Sequence, residues 1–109
     1  MGPGWETNKG KIKIPWPIIF FMNVKYFATL RKITGVQEEN IQAKNIRELL
    51  DIIIKKYGKE FQNSLYDSNG FKKGVIILKN GKNIIYLNDL ETELGNDDIV
   101  SIFPPVAGG

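Results

Sequence analysis

The 109-residue chain contains neither cysteine nor histidine. Without cysteine there is no thiol nucleophile, no disulfide framework and no thiolate metal site. Without histidine the commonest general base is missing. Self-contained hydrolytic or redox chemistry is therefore not expected, and no metal ligand set is assigned. Long apolar runs are lacking too. The longest, Ile18 to Met22, is far too short to cross a bilayer. The prolines that interrupt this region, and the lack of a small-residue cleavage site after it, argue against a secretory signal. The expectation is a cytoplasmic protein with no membrane partner.

A dominant positive region is also missing. The formal charge is +3, but residues 1–21 carry much of it through Lys9, Lys11 and Lys13 against Glu6. Beyond Lys82 every ionised side chain is acidic: Asp89, Glu91, Glu93, Asp97 and Asp98. Nucleic-acid binders cluster Lys and Arg on one element. Here the C-terminal third would repel phosphate, and nucleic acid is excluded as a partner.

What is present is ordinary for one globular domain: 42% hydrophobic and 25% charged residues, enough for one modest core. Residues 1–21 differ in texture. Gly2, Pro3 and Gly4 are linker-like, and Pro15 and Pro17 flank Trp16. This stretch reads as an N-terminal extension, either disordered or upstream of a start at Met22. The alternative is an ordered arm that docks Trp16, Phe20 and Phe21.

From Met22 the pattern is regular. Val24, Tyr26 and Ala28 alternate with Lys25 and Phe27, which predicts a two-faced strand. Val36 to Ala43 predicts a second strand, joined to the first through a Thr34–Gly35 turn as a hairpin. Asn45 followed by Glu48 is a helix-capping pattern, and Ile46, Leu49, Leu50, Ile53 and Tyr57 share one helical face. Gly58 marks the stop, and Lys59 to Leu65 suits a short second helix. After a polar loop at Asp67 to Gly70, Val75 to Leu78 reads as a buried strand. Asn80-Gly81 suits a two-residue hairpin turn, with Ile84 to Leu87 as the returning strand. Ile99 to Phe103 forms the last one. The order β-β-α-β-β-β predicts an α+β fold, a mixed sheet packed on one main helix.

The chain ends Phe103-Pro104-Pro105-Val106-Ala107-Gly108-Gly109. Two prolines hold the backbone extended and cannot donate to a sheet, so the last strand stops and a tail projects. Gly108 and Gly109 offer a carboxylate with no side chain beside it, narrow enough to thread a partner's channel. A carboxylate is a poor acyl donor, whereas its adenylate is a good one. Gly109 is therefore the candidate reacting residue. Three further positions suit partner binding. Phe27 is placed on the sheet face away from the helix, or in cross-strand packing. Arg31 is either a partner contact or a solvated surface residue, and Phe103 either anchors the tail or completes the core.

Tyr26-Phe27-Ala28-Thr29-Leu30-Arg31, the Gly35 turn, Asp97-Asp98-Ile99-Val100 and the terminal Phe-Pro-Pro-Val-Ala-Gly-Gly carry a resemblance. From residue 22 to 109 the chain resembles the MoaD/ThiS sulfur carriers, and most of all the MoaD type, the small subunit of molybdopterin synthase. The resemblance implies a β-grasp (ubiquitin-like) fold. It also implies that an E1-like enzyme uses ATP to adenylate Gly109, and that a sulfur donor such as a cysteine desulfurase or rhodanese converts it to a thiocarboxylate. The tail would enter the large synthase subunit, within a heterotetramer, and pass sulfur to cyclic pyranopterin monophosphate for a molybdenum or tungsten cofactor. The chain would not be an enzyme alone and would bind no cofactor of its own. A ubiquitin-like protein modifier, or a carrier for thiamine thiazole synthesis or tRNA thiolation, would use the same end.

Overall fold

The computed structural model describes residues 21–106. Residues 1–20 and 107–109 lie outside that range, and with them the reading of the N-terminal extension. Strand β1 (Met22–Tyr26) begins where the regular pattern begins, and Met22, Val24 and Tyr26 are fully buried on one face. It pairs antiparallel with β2 (Glu38–Ile41), from Met22 opposite Ile41 to Lys25 opposite Glu38. The connection is not the simple turn expected from sequence. It contains a short helix, α1 (Thr29–Thr34), pinned by the fully buried Leu30. Gly35 is the C-cap of this helix, at φ 80°, and its N–H donates to the Arg31 carbonyl. Only glycine enters this left-handed region without steric penalty. The second strand is also shorter than the predicted Val36–Ala43.

Helix α2 (Ile46–Tyr57) forms as its pattern predicts. The Asn45 side chain accepts from the Glu48 N–H at 2.8 Å, and Glu48 accepts the Lys44 N–H at 2.6 Å. Both bonds satisfy N–H groups at the helix start, as a capping box does. Ile46, Leu49, Leu50 and Ile53 are buried in the core. After Gly58, α3 (Lys59–Leu65) adds Phe61 and Leu65 to the same core. The predicted polar loop is a small hairpin of β3 (Tyr66–Asp67) and β4 (Gly70–Phe71), whose aromatic rings stack at 4.7 Å.

Strand β5 (Ile76–Lys79) turns through Asn80 and Gly81, both at positive φ, into β6 (Lys82–Asn83). That pair of conformations is what a tight primed hairpin turn requires. The returning strand is not Ile84–Leu87. After two residues the Asn83 side chain accepts the Ile85 N–H at 3.1 Å and winds Ile84–Tyr86 into a 3₁₀ turn. Local side-chain capping here defeats strand propensity. Strand β7 (Ile99–Phe103) completes a five-stranded sheet of order β2-β1-β7-β5-β6, in which β1 and β7 are parallel and the other pairs antiparallel. Helix α2 and the buried residues Val24, Tyr26, Ile77, Val100 and Ile102 share one core on a single side of the sheet. This is the β-grasp architecture.

One carboxylate ties strand, strand and helix together. Glu39 Oε2 accepts hydrogen bonds from the Tyr26 and Tyr57 hydroxyls, each at 2.6 Å, and Oε1 accepts from Lys56 Nζ at 2.6 Å. Burial alone would raise the Glu39 pKa, but the three hydrogen bonds and the Lys56 charge outweigh it and hold the group below the usual carboxylate range. Burial, reinforced by Glu39, pushes the Tyr26 phenol far upward, so it stays a donor. A folded pKa below the unfolded value means this stabilisation is complete above the unfolded pKa and is lost as pH falls through the folded one. Glu39→Gln is expected to cost about 2 kcal/mol at neutral pH, lowering the melting midpoint by roughly 10 °C. The gap to wild type should close in acid, below about pH 4. Thermal melts of both chains from pH 7 to 3 check this, and a gap that persists at low pH would refute the charge-based account.

Candidate functional site

Because β1 and β7 are parallel neighbours, the residues that follow β1 and those that end β7 emerge at the same end of the sheet. The Phe27 N–H donates to the Ile102 carbonyl at 3.2 Å, one step beyond the paired strands. That places Phe27 beside Phe103, although the two stand near opposite ends of the described chain, and their rings stack at 4.2 Å with planes 11° apart. Both alternate away from the buried residues, so the pair lies on the sheet face that the helix leaves open. Both rings are half-buried. The two options that the sequence left for Phe27 are thus compatible, since it packs across strands and still presents an edge outward.

Arg31 joins them. Its Nε–H donates to the Tyr26 carbonyl at 2.8 Å, and the guanidinium carbon lies 5.1 Å from the Phe27 ring centre. Cation–π contact and the backbone bond together fix the plane of the guanidinium. A shallow cleft beside it is lined by Lys25, Phe27, Arg31, Gln37 and Glu38. Sequence reasoning missed the residue that makes this geometry possible. Ala28 adopts φ 55° and ψ −132°, a conformation that side chains disfavour. It reverses the chain straight after Phe27, so that α1 starts at once and returns Arg31 over the ring. No local pattern announces such strain, because alanine between two strand-like residues looks unremarkable in composition.

The tail leaves from this end. Pro104 is buried and ends the sheet, since it has no N–H to donate. Pro105 lies against Gly74 in the β4–β5 loop, so close that a Cβ added to Gly74 would meet the Pro105 Cβ at 3.5 Å. Val106, the last described residue, is 80% exposed. Ala107, Gly108 and the proposed reacting residue Gly109 lie outside the described residues. At the other end of β7, Asp98 accepts from the Gly95 N–H and from Asn80, with Lys79 nearby. Burial opposes its charge, but these contacts hold its pKa low. The strand is thereby fixed at one end while the other launches the tail.

A β-grasp sheet whose last strand ends at Pro104 and Pro105 matches a known family along most of the chain. The profile of the ThiS family covers residues 24–109. The chain belongs to the ThiS family. It is 30% identical over 91 residues to small archaeal modifier protein 3 of Haloferax volcanii, covering 81% of this chain and 98% of that protein. The solution structure of small archaeal modifier protein 1 from Methanosarcina acetivorans is similar at TM-score 0.73 and 30% identity, over 84% of this chain and 98% of that one. A Pyrococcus furiosus structure, provisionally named molybdopterin converting factor subunit 1, is similar at TM-score 0.62 and 32% identity, over 80% and 99%. The chain is thus a ubiquitin-like member of a family that includes sulfur carriers and modifiers.

Within this ThiS-family site, the strain at Ala28 generates a test. Ala28→Gly removes an exposed methyl group and the steric penalty of positive φ, which is expected to stabilise the folded state by about 1 kcal/mol and raise the melting midpoint by a few degrees. A scanning-calorimetry melt checks this. A lower midpoint would mean the backbone there is not strained.

Proposed function

We propose that the chain works through its C-terminal carboxylate, as a carrier activated at Gly109 and gripped by its partners through Phe27, Arg31 and Phe103. The observation that supports this most is the juxtaposition of the tail root with that aromatic–guanidinium cluster. In the activation step the Gly109 carboxylate attacks the α-phosphorus of ATP, pyrophosphate leaves, and an acyl-adenylate forms on an E1-like enzyme. A donor such as a cysteine desulfurase or rhodanese then attacks the carbonyl carbon through its cysteine persulfide, AMP leaves, and a thiol cleaves the resulting acyl disulfide at its S–S bond, leaving the thiocarboxylate and a disulfide. Pro104, Pro105, Val106, Ala107 and Gly108 are the tail that crosses the partner's channel. Covalent activation of this kind divides one difficult displacement into two easier ones.

The specific reading is sulfur donation to cyclic pyranopterin monophosphate, in molybdenum or tungsten cofactor assembly with a large synthase subunit. The likeness to the Pyrococcus furiosus structure supports it. The second reading is a protein modifier, in which a lysine amine displaces AMP and forms an isopeptide bond. The likeness to a Haloferax volcanii modifier over nearly that protein's whole length supports it equally. The two share every step up to the adenylate.

Incubation with the E1-like enzyme of the same genome, ATP and sulfide is expected to exchange one oxygen for sulfur at Gly109, read by intact mass. A chain lacking Gly109 should stay unmodified. An unchanged wild-type mass beside a carrier that is converted in the same assay would sink the proposal. Lysine conjugates in cell extract, abolished by the same deletion, would favour the modifier reading over sulfur donation.

Docking can be tested separately. Ordering a flexible tail costs about 1–2 kcal/mol per residue, so the folded domain must supply much of the affinity. Phe27→Ala is expected to weaken binding to the activating enzyme about thirtyfold, with a cooperative melt retained. Calorimetric titration gives the affinity. A normal melt with unchanged affinity would remove Phe27 from the interface.

A further inference from the structure

The chain contains two Asn-Gly pairs, Asn69-Gly70 and Asn80-Gly81. This dipeptide is unusually open to spontaneous deamidation, because the glycine brings no side chain to shield its own backbone nitrogen. That nitrogen gives up its proton to water and attacks the side-chain carbonyl carbon of the asparagine. The amide nitrogen leaves as ammonia, a succinimide ring closes, and water reopens the ring to aspartate or isoaspartate. Only water is consumed. Both pairs sit at exposed hairpin turns, and a Cβ added to either glycine would meet nothing within 4 Å. Crowding at the glycine therefore does not distinguish them.

The asparagine side chains do. Asn80 is held at both amide atoms: its Nδ2–H donates to Asp98 Oδ1 at 2.9 Å, and its Oδ1 accepts the Ile99 N–H at 2.8 Å. Its backbone N–H donates to the Ile99 carbonyl at 2.7 Å, and Asp98 is itself fixed by the Gly95 N–H. The Asn80 amide can reach the Gly81 nitrogen only by breaking away from β7. Asn69 is held by its backbone alone, whose N–H donates to Asp67 Oδ1 at 2.8 Å. Among the described residues no hydrogen bond engages its side-chain amide. The β3–β4 hairpin is a two-stranded sheet separate from the main one, with two residues in each strand. The Tyr66–Phe71 stack and a 2.7 Å bond from the Lys72 N–H to the Leu65 carbonyl pin its base, and the tip lies beyond them. Ribbons this short are marginal by themselves, and a reaction that needs local opening follows the cost of opening.

We propose that Asn69 is a site of spontaneous deamidation in the folded chain, and that the bonds from Asn80 to Asp98 and Ile99 keep the second Asn-Gly pair intact. The two sites differ in consequence as well as in rate. At Asn80 the reaction would replace the donor that faces Asp98 with a second carboxylate, and like charges at that spacing repel. The isoaspartate product would also lengthen the backbone of a turn whose two positive-φ residues fit the β5–β6 pair. At Asn69 the new charge falls on an exposed tip, beside Asp67, and breaks no side-chain bond among the described residues. The fold thus directs the chemistry to the pair that tolerates it.

The wild-type chain, incubated folded at neutral pH, digested with an acid-active protease and mapped by mass spectrometry, tests the proposal. An isoaspartate-directed methyltransferase marks the rearranged product. The Asn69 peptide is expected to convert about tenfold faster than the Asn80 peptide, or more, and the two rates should converge in urea. Asp98→Ala, checked by a circular dichroism melt, should raise Asn80 conversion about tenfold and leave Asn69 alone. Glu39→Gln lowers stability far from both turns and should leave the ratio of the two rates unchanged. Equal rates in the folded wild type would overturn the proposal, and that comparison stands by itself if Asp98→Ala does not fold. An Asn69 peptide that stays intact in the folded chain while both react in urea would overturn it too. So would an Asn80 rate that rises as much in Glu39→Gln as in Asp98→Ala, since global stability and not the side-chain bonds would then be the protection.

Discussion

The parallel pairing of β1 with β7 is the contact on which the rest of the molecule depends. Strands from opposite ends of the described chain lie side by side at the centre of the sheet, register-matched from Asn23 with Ile99 to Tyr26 with Ile102. Their inward side chains, Val24, Tyr26, Val100 and Ile102, are fully buried against the helices. Their outward side chains continue the same alternation, so Phe27 and Phe103 must meet wherever the two strands run out. A parallel pair needs a long crossover connection, and here everything from α1 to Asp98 serves as that connection. The tail root and the aromatic pair are therefore positioned by the most buried part of the fold, not by a loop.

Around this axis the chain places two kinds of polar restraint. On the helix side, Glu39 collects two phenols and an ammonium, fixing β2 and α2 to β1. At the end opposite the tail, Asp98 and Asn80 close the hairpin turn onto β7, with the Ile99 N–H donating to the Asn80 side chain at 2.8 Å. Neither carboxylate is placed for chemistry. Each is neutralised by donors already present, which is how partly buried charges are tolerated. The end that carries the tail is held differently, by stacking, a cation over a ring, and a strained alanine. Such contacts fix direction while leaving the two rings half-buried and the guanidinium exposed.

Local features of the sequence determined the elements whose cause is local. The Asn45–Glu48 cap, the apolar stripe of α2 and the Asn80-Gly81 turn each depend on neighbours a few residues away, and each forms as read, whereas the alternation read from Val24 to Ala28 holds only as far as Tyr26, because Ala28 turns the chain at positive φ. The end of β7 was legible for the same reason, since Pro104 has no N–H with which to continue the strand pairing. Misreadings occurred where distant packing or a single side-chain bond took over. The link between β1 and β2 winds into α1 because Leu30 finds the core, which is invisible to a period-2 reading. Ile84 to Tyr86 look like a strand by composition, yet the Asn83 cap bends them away and turns Ile85 and Tyr86 outward.

Composition alone thus excluded thiol and imidazole chemistry, and the Phe103–Gly109 motif carried the resemblance to the family that matches over residues 24–109, because both need only residue identity and order. Which residues surround the tail was a different matter. Phe27, Arg31 and Phe103 could be nominated one at a time, but only the tertiary structure stacks one ring on the other, lays the guanidinium over Phe27 and sets Ile76 opposite Phe103. Those contacts depend on strand order and register, and both are set by burying side chains from the two ends of the chain in one core.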